Sequence, residues 1–192
     1  DALHSWPNRQ DAYLMQHFNG LFSLVQAELY RGDATAALAR LLADQKLLRR
    51  SQLLRVGPLR IEHEYLFART WLALAIQAPP SERAAKLKRA MLHVARLEKI
   101  GLPMPTHYAT GLRGSIALAT ENESLAVEHF KNAAAGFDAC STVLYAAFAK
   151  RQLGLLLAGD EGQQLVAQAE LLMLREDVVQ PDSATRLVFP RD

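Results

Sequence analysis

Four short breaks divide the chain at a slowly shrinking interval. Gly32–Asp33, Ala78–Pro80, Glu121–Asn122 and Gly159–Asp160 stand about 46, 43 and 38 residues apart. Each separates two stretches whose apolar residues recur every three to four positions, the signature of an amphipathic helix. A helix pair of this kind has too wide an apolar face to bury alone, and stacking against a neighbouring pair buries it. The recurrence therefore predicts an all-α chain of about four stacked helical hairpins. Leu and Ala dominate the apolar residues, whereas β-branched and aromatic residues are sparse, which disfavours strands.

Local signals place the helix ends. Asn8, with Asp11 three residues on, opens a first helix that Gly32–Asp33 closes; glycine suits the left-handed position after a helix, and Asp33 caps the next one. The second helix ends near Asp44–Gln45–Lys46. Around Gly57–Pro58 the periodicity predicts a kinked helix, or a short helix followed by a long one from Pro58 that stops at Pro79–Pro80. Ser81 caps a fourth helix ending at Gly101, LPMP at 102–105 reads as a loop, and Thr106 caps a fifth. Asn122 caps a sixth, Ser141 starts a seventh, and Asp160 with Gln163 opens an eighth. Pro181 and Asp182 start a short final helix. The hairpins then span about 8–46, 47–101, 104–139 and 141–177, with a C-terminal cap at 181–189.

The best-preserved pair lies in GSIALATENESLAVEHFKNA, Gly114 to Ala133. Small residues stand where two helices would touch: Gly114 and Ala117 on the first, Ala126 and Ala133 on the second, with Phe130 one turn past Ala126. This order resembles the tetratricopeptide repeat family, in which a small residue midway along the first helix precedes a Gly–Asp-like turn, an early Ala, a large residue and a further Ala. Gly32–Asp33, Ala37 and Leu41 repeat it in the first pair, where Asp44 stands in place of the last Ala. The spacings exceed the family's usual ~34 residues. The runs YRGDATAALARL, LLRRSQLLRV, LRIEHEYLFAR and LGLLLAGDEGQQLV look like the C-terminal repeat region of large bacterial serine/threonine protein kinases.

The resemblance implies a right-handed α-solenoid, a superhelix of the tetratricopeptide-repeat (TPR) kind with a short C-terminal capping helix. It implies a concave groove lined by the first helix of each pair, which takes an extended peptide or a partner helix. The polar residues of those helices are the candidate contacts: Asn19, Ser23 and Gln26 on the first helix, Arg69 on the third, Tyr108 on the fifth and Lys150 on the seventh. It further implies a non-catalytic interaction or sensor module of a bacterial signalling protein. The chain starts at Asp1 and is expected to be a piece of that longer protein.

The residues themselves offer little chemistry. There is no glycine-rich phosphate loop, kinase catalytic loop, Walker motif or dinucleotide fingerprint. His63 lies between Glu62 and Glu64, but Phe67 occupies the position where a second helical metal ligand would stand. His63 therefore reads as a surface or partly buried structural residue, and neither catalytic residues nor a cofactor or metal set can be named. Ser115 follows Gly114 but lacks the second glycine of a nucleophile elbow. Tyr65, Phe67 and Trp71 cluster among Arg60 and Arg69; core packing with arginine at the rim is the simpler account, stacking on a base or peptide the other.

Charge leaves one alternative open. The net charge is +2, short of a nucleic-acid signature. Yet 46–99 carries 12 Lys and Arg against 4 Asp and Glu, whereas 121–192 carries 6 against 11. A helical-repeat domain that binds nucleic acid or a regulatory ligand through the basic 46–99 segment is the second reading. The single cysteine, Cys140, excludes an intramolecular disulfide and agrees with a reducing, cytoplasmic setting. No apolar run approaches the ~18 residues of a membrane span.

Overall fold

The computed structural model describes residues 13–191, and among them every regular element is helical. Nine α-helices follow in order: α1 Met15–Tyr30, α2 Ala34–Arg50, α3 Gly57–Gln77, α4 Pro80–Glu98, α5 Pro103–Ala119, α6 Glu123–Ala139, α7 Val143–Leu156, α8 Gly159–Arg175 and α9 Pro181–Val188. Helices α1 to α8 pack on their chain neighbours, most extensively within the pairs α3–α4, α5–α6 and α7–α8. The odd-numbered helices also meet: α1 packs on α3, and α3 on α5.

Four of the turns share one closure, the last of them at Asp177 (φ 60°), where Val178 donates its N–H to Met173 at 2.9 Å. In the other three, Gly32, Glu121 and Ser141 have φ of 82°, 59° and 56°, and the next residue likewise donates its N–H back five positions: Asp33 to Glu28, Asn122 to Ala117 and Thr142 to Phe137, at 2.9 to 3.0 Å. This left-handed closure satisfies the orphan carbonyls of the preceding helix. The caps read from the sequence at Asp33 and Asn122 are made, to the N–H groups of Ala36 and Leu125. Asn8 and Asp11 lie outside the described residues, and α1 itself begins at Met15.

Other ends differ from expectation. Helix α2 runs past Asp44 to Arg50, so Leu47–Arg50 belong to its last turn; a 3-10 turn at Leu53–Arg55 then leads to α3. Asp44 is buried and accepts a hydrogen bond from the Tyr13 hydroxyl at 2.9 Å, so a polar residue that read as a terminus is an interior contact. LPMP is no loop: Pro103 begins α5, where a missing N–H costs nothing, and Thr106 lies inside the first turn with its hydroxyl bonded to the Leu102 carbonyl. Likewise Pro79 and Ala158, not Ser81 and Asp160, occupy the N-cap positions of α4 and α8.

The largest departure is α9. It packs chiefly on α1 and α7 and only lightly on α8, so it is not a simple lid over the end of the last pair. Its C-terminal residues Val188 and Phe189 enter the main core, which extends from Tyr65 on α3 through Leu112, Phe130, Phe137 and Phe148. That core is closed by small residues at close approaches. A Cβ on Gly114 would stand 2.9 Å from the Phe130 ring, and one on Gly111 2.2 Å from the Phe189 ring. G114A should therefore lower stability by about 1–3 kcal/mol through overpacking, and Phe130→Leu should recover part of the loss, as a double-mutant cycle in denaturant would measure.

Candidate functional site

A row of three tyrosines crosses the odd-numbered helices. Tyr65 on α3 stacks on Tyr108 on α5, with ring centroids 4.4 Å apart and planes 14° from parallel. Tyr108 in turn meets Tyr145 on α7 at 5.0 Å. Phe137 on α6 closes the row from behind, 5.4 Å from Tyr145 and 5.8 Å from Tyr108. Burial pushes the phenols of Tyr65 and Tyr108 well above the usual tyrosine range, so both remain neutral hydroxyls.

The row ends at a cation. The Arg69 guanidinium lies over the Tyr65 ring, 4.3 Å from its centroid, and Arg69 is only 2% exposed. Tyr65 and Phe67 are buried as core packing requires, but Arg69 is buried with them and not at a rim. A charge in that position must find acceptors. Arg69 Nη1 donates to the Leu187 carbonyl at 2.9 Å. Glu62, half-buried on the same helix, supplies a compensating charge: burial raises its carboxyl pKa, and Arg69 opposes that rise.

Two further side chains continue the pattern. The Tyr65 hydroxyl donates to the Val188 carbonyl at 3.0 Å, and Gln152 Nε2 on α7 donates to the Phe189 carbonyl at 2.8 Å. Three consecutive main-chain carbonyls are therefore held by side chains of α3 and α7. These are the orphan acceptors at the C-terminal end of α9, where the helix dipole also favours a cation such as Arg69. Phe189, fully buried, meets Phe130 at 5.9 Å and Phe137 at 6.3 Å and rests on Gly111. At the other end of α9, the Tyr30 hydroxyl of α1 donates to Gln180 Oε1 at 2.9 Å.

Of the six residues nominated from the sequence, Arg69 and Tyr108 come together, on either side of Tyr65. Asn19, Ser23 and Gln26 lie along α1; Ser23 bonds the Asn19 carbonyl, Gln26 Oε1 is buried without a partner, and none of the three hydrogen-bonds to α9. Lys150 pairs with Asp138 on α6 at 2.8 Å and makes no hydrogen bond to α9 among the described residues. Tyr65 as a hydrogen-bond donor, Tyr145 and Gln152 were missed. One signal existed: Tyr65, Tyr108 and Tyr145 stand 43 and 37 residues apart, nearly the interval between the breaks.

A second polar cluster lies between α3 and α4. Glu64 accepts from His93 Nδ1 at 2.6 Å, with His63 Nδ1 at 3.4 Å and Arg96 at 3.5 Å. His63 is buried without a hydrogen-bonding partner among the described residues, and Phe67 meets both imidazoles at 4.9 Å, stacked on His93 and tilted against His63. Burial alone would raise the Glu64 carboxyl, but the two imidazoles beside it outweigh that and hold it well below the usual carboxylate range. Among the described residues, no group of three or more His, Cys, Asp or Glu is arranged to hold a metal ion.

A carboxyl whose folded pKa is depressed stabilises the fold above its unfolded pKa, and that contribution is lost as pH falls towards the folded value. The loss from Glu64 should begin below about pH 4.3. Denaturant titrations should accordingly show a larger drop in unfolding free energy between about pH 7 and pH 3 for the wild type than for Glu64→Gln.

No family model matches the chain, and neither a curated protein nor a solved structure matches it.

Proposed function

We propose that the chain is a non-catalytic interaction module that binds a peptide segment on the face of its odd-numbered helices. In this reading the helix pairs stack as a right-handed α-solenoid of the TPR-like kind, and the module is the sensor or docking part of a larger bacterial signalling protein. The observation that carries it is the capture of the Leu187, Val188 and Phe189 carbonyls by Arg69, Tyr65 and Gln152. Side chains that bind consecutive main-chain carbonyls recognise backbone, and the space over Gly111 that holds Phe189 recognises one aromatic anchor. The segment 181–191 is thus an internal ligand, and an external partner is a segment of similar chemistry: a short helix ending in apolar residues, phenylalanine and a basic residue.

An exchange experiment tests this. A protease site placed at 177–180, where Val179 is 83% exposed, allows the chain to fold before the segment is cut free. A labelled peptide of residues 181–192 should then exchange onto the cut protein, saturably and in competition with unlabelled peptide. Gly111→Ala should weaken its binding by at least about tenfold, because the added methyl overlaps the Phe189 ring. If the cut segment leaves only when the whole protein unfolds, it is core rather than ligand, and the reading fails.

A further inference from the structure

Where the C-terminal segment passes the first turn, a cleft of about 410 Å3 lies between the end of α1, the second half of α3 and α9. Its apolar wall includes Leu29, Ile76 and Pro190. Its charged wall is Arg31, Arg186 and Arg191, and none of its described lining residues is Asp or Glu. Arg31 is exposed, and its side chain makes no hydrogen bond or ion pair among the described residues. Arg186 shares Asp182 with Arg151, and Arg191 spends one nitrogen on Gln152 Oε1 at 3.2 Å. Three arginines thus line one space, and among the described residues a single carboxylate, Asp182, engages one of them from outside the lining.

Like charges so placed repel, and an anion between them removes that cost. Guanidinium groups suit phosphoryl oxygens because each offers paired donors in a planar fork. The apolar wall opposite suits a hydrocarbon or ring body, as ligand clefts generally combine a few polar anchors with an apolar lining. We propose that this cleft binds a small organic phosphate, with its phosphoryl group between Arg31, Arg186 and Arg191 and its apolar body against Leu29, Ile76 and Pro190. Such a ligand would join the first turn to the C-terminal segment and hold that segment in place. The proposal does not rest on the peptide reading, but the two are coupled: Ser183, Arg186, Pro190 and Arg191 line the cleft, so a partner that displaced the segment would dismantle it.

Calorimetric titration of the full chain tests it, with phenyl phosphate as the probe and inorganic phosphate and a short phosphotyrosine peptide as comparisons. Phenyl phosphate should bind saturably and tighter than inorganic phosphate. Arg31→Gln, which breaks no side-chain hydrogen bond or ion pair among the described residues, should weaken it at least about tenfold without lowering the melting temperature of the free protein. Arg191→Gln should weaken it likewise, so a folding defect in one variant does not decide the matter. Absence of saturable binding, or unchanged affinity in both variants, overturns the proposal. Equal affinity for inorganic phosphate overturns the organic ligand, and tighter binding of the phosphopeptide assigns the cleft to a partner protein instead.

Discussion

A buried guanidinium must be answered by acceptors, and in this chain Arg69 is answered by the end of α9. With Arg69 only 2% exposed, the Leu187 carbonyl, the Tyr65 ring and the charge of Glu62 stand in for part of its hydration, and its Nε is left buried without a partner among the described residues. The exchange serves both partners. The last carbonyls of a helix lack internal donors, and here three of them find side chains without another residue of α9 being needed. Leaving Arg69 unanswered would strand a charge among Tyr65, Leu66 and Phe67, so the position of α9 and the burial of α3 are one problem with one solution.

Small residues make that solution geometrically possible. Phe130 and Phe189 are both fully buried, and each ring lies where a glycine leaves room on α5. Gly114 admits Phe130 from α6, within a pair; Gly111, one turn earlier, admits Phe189 from the far end of the sequence. The same helix thus receives a local ring and a distant ring on neighbouring turns. Interiors packed this tightly tolerate little change in volume.

What could be read from the sequence was what is local. The turn at Glu121–Asn122 and the cap at Asp33 depend on residues within five positions of one another, and their chemistry is specific. Proline was ambiguous because it both ends and begins helices, and at 102–105 it begins one. Asp44 was misread because a buried hydrogen bond from Tyr13, 31 residues away, leaves no trace in its neighbours. The tyrosine row was present as a spacing but unmarked by any motif. Arg69 and Tyr108 were reached through their place on odd-numbered helices, whereas the Leu187 and Val188 carbonyls held by Arg69 and Tyr65 lie more than a hundred residues from them and were invisible to periodicity.

That separation has a consequence for how the chain comes together during synthesis. Each helix pair needs only residues close in sequence, and closing short loops is fast. Tyr65 and Arg69 are instead separated from their carbonyl partners by 123 and 118 residues. A ribosome adding ~5–20 residues each second leaves both side chains without their partners for several seconds. Through that interval Arg69 has Glu62 on its own helix but not its carbonyl acceptor, and the surface where α9 will lie stays open to water until the last helix arrives. The order of events is therefore written into the contact map: pairs first, then the seal.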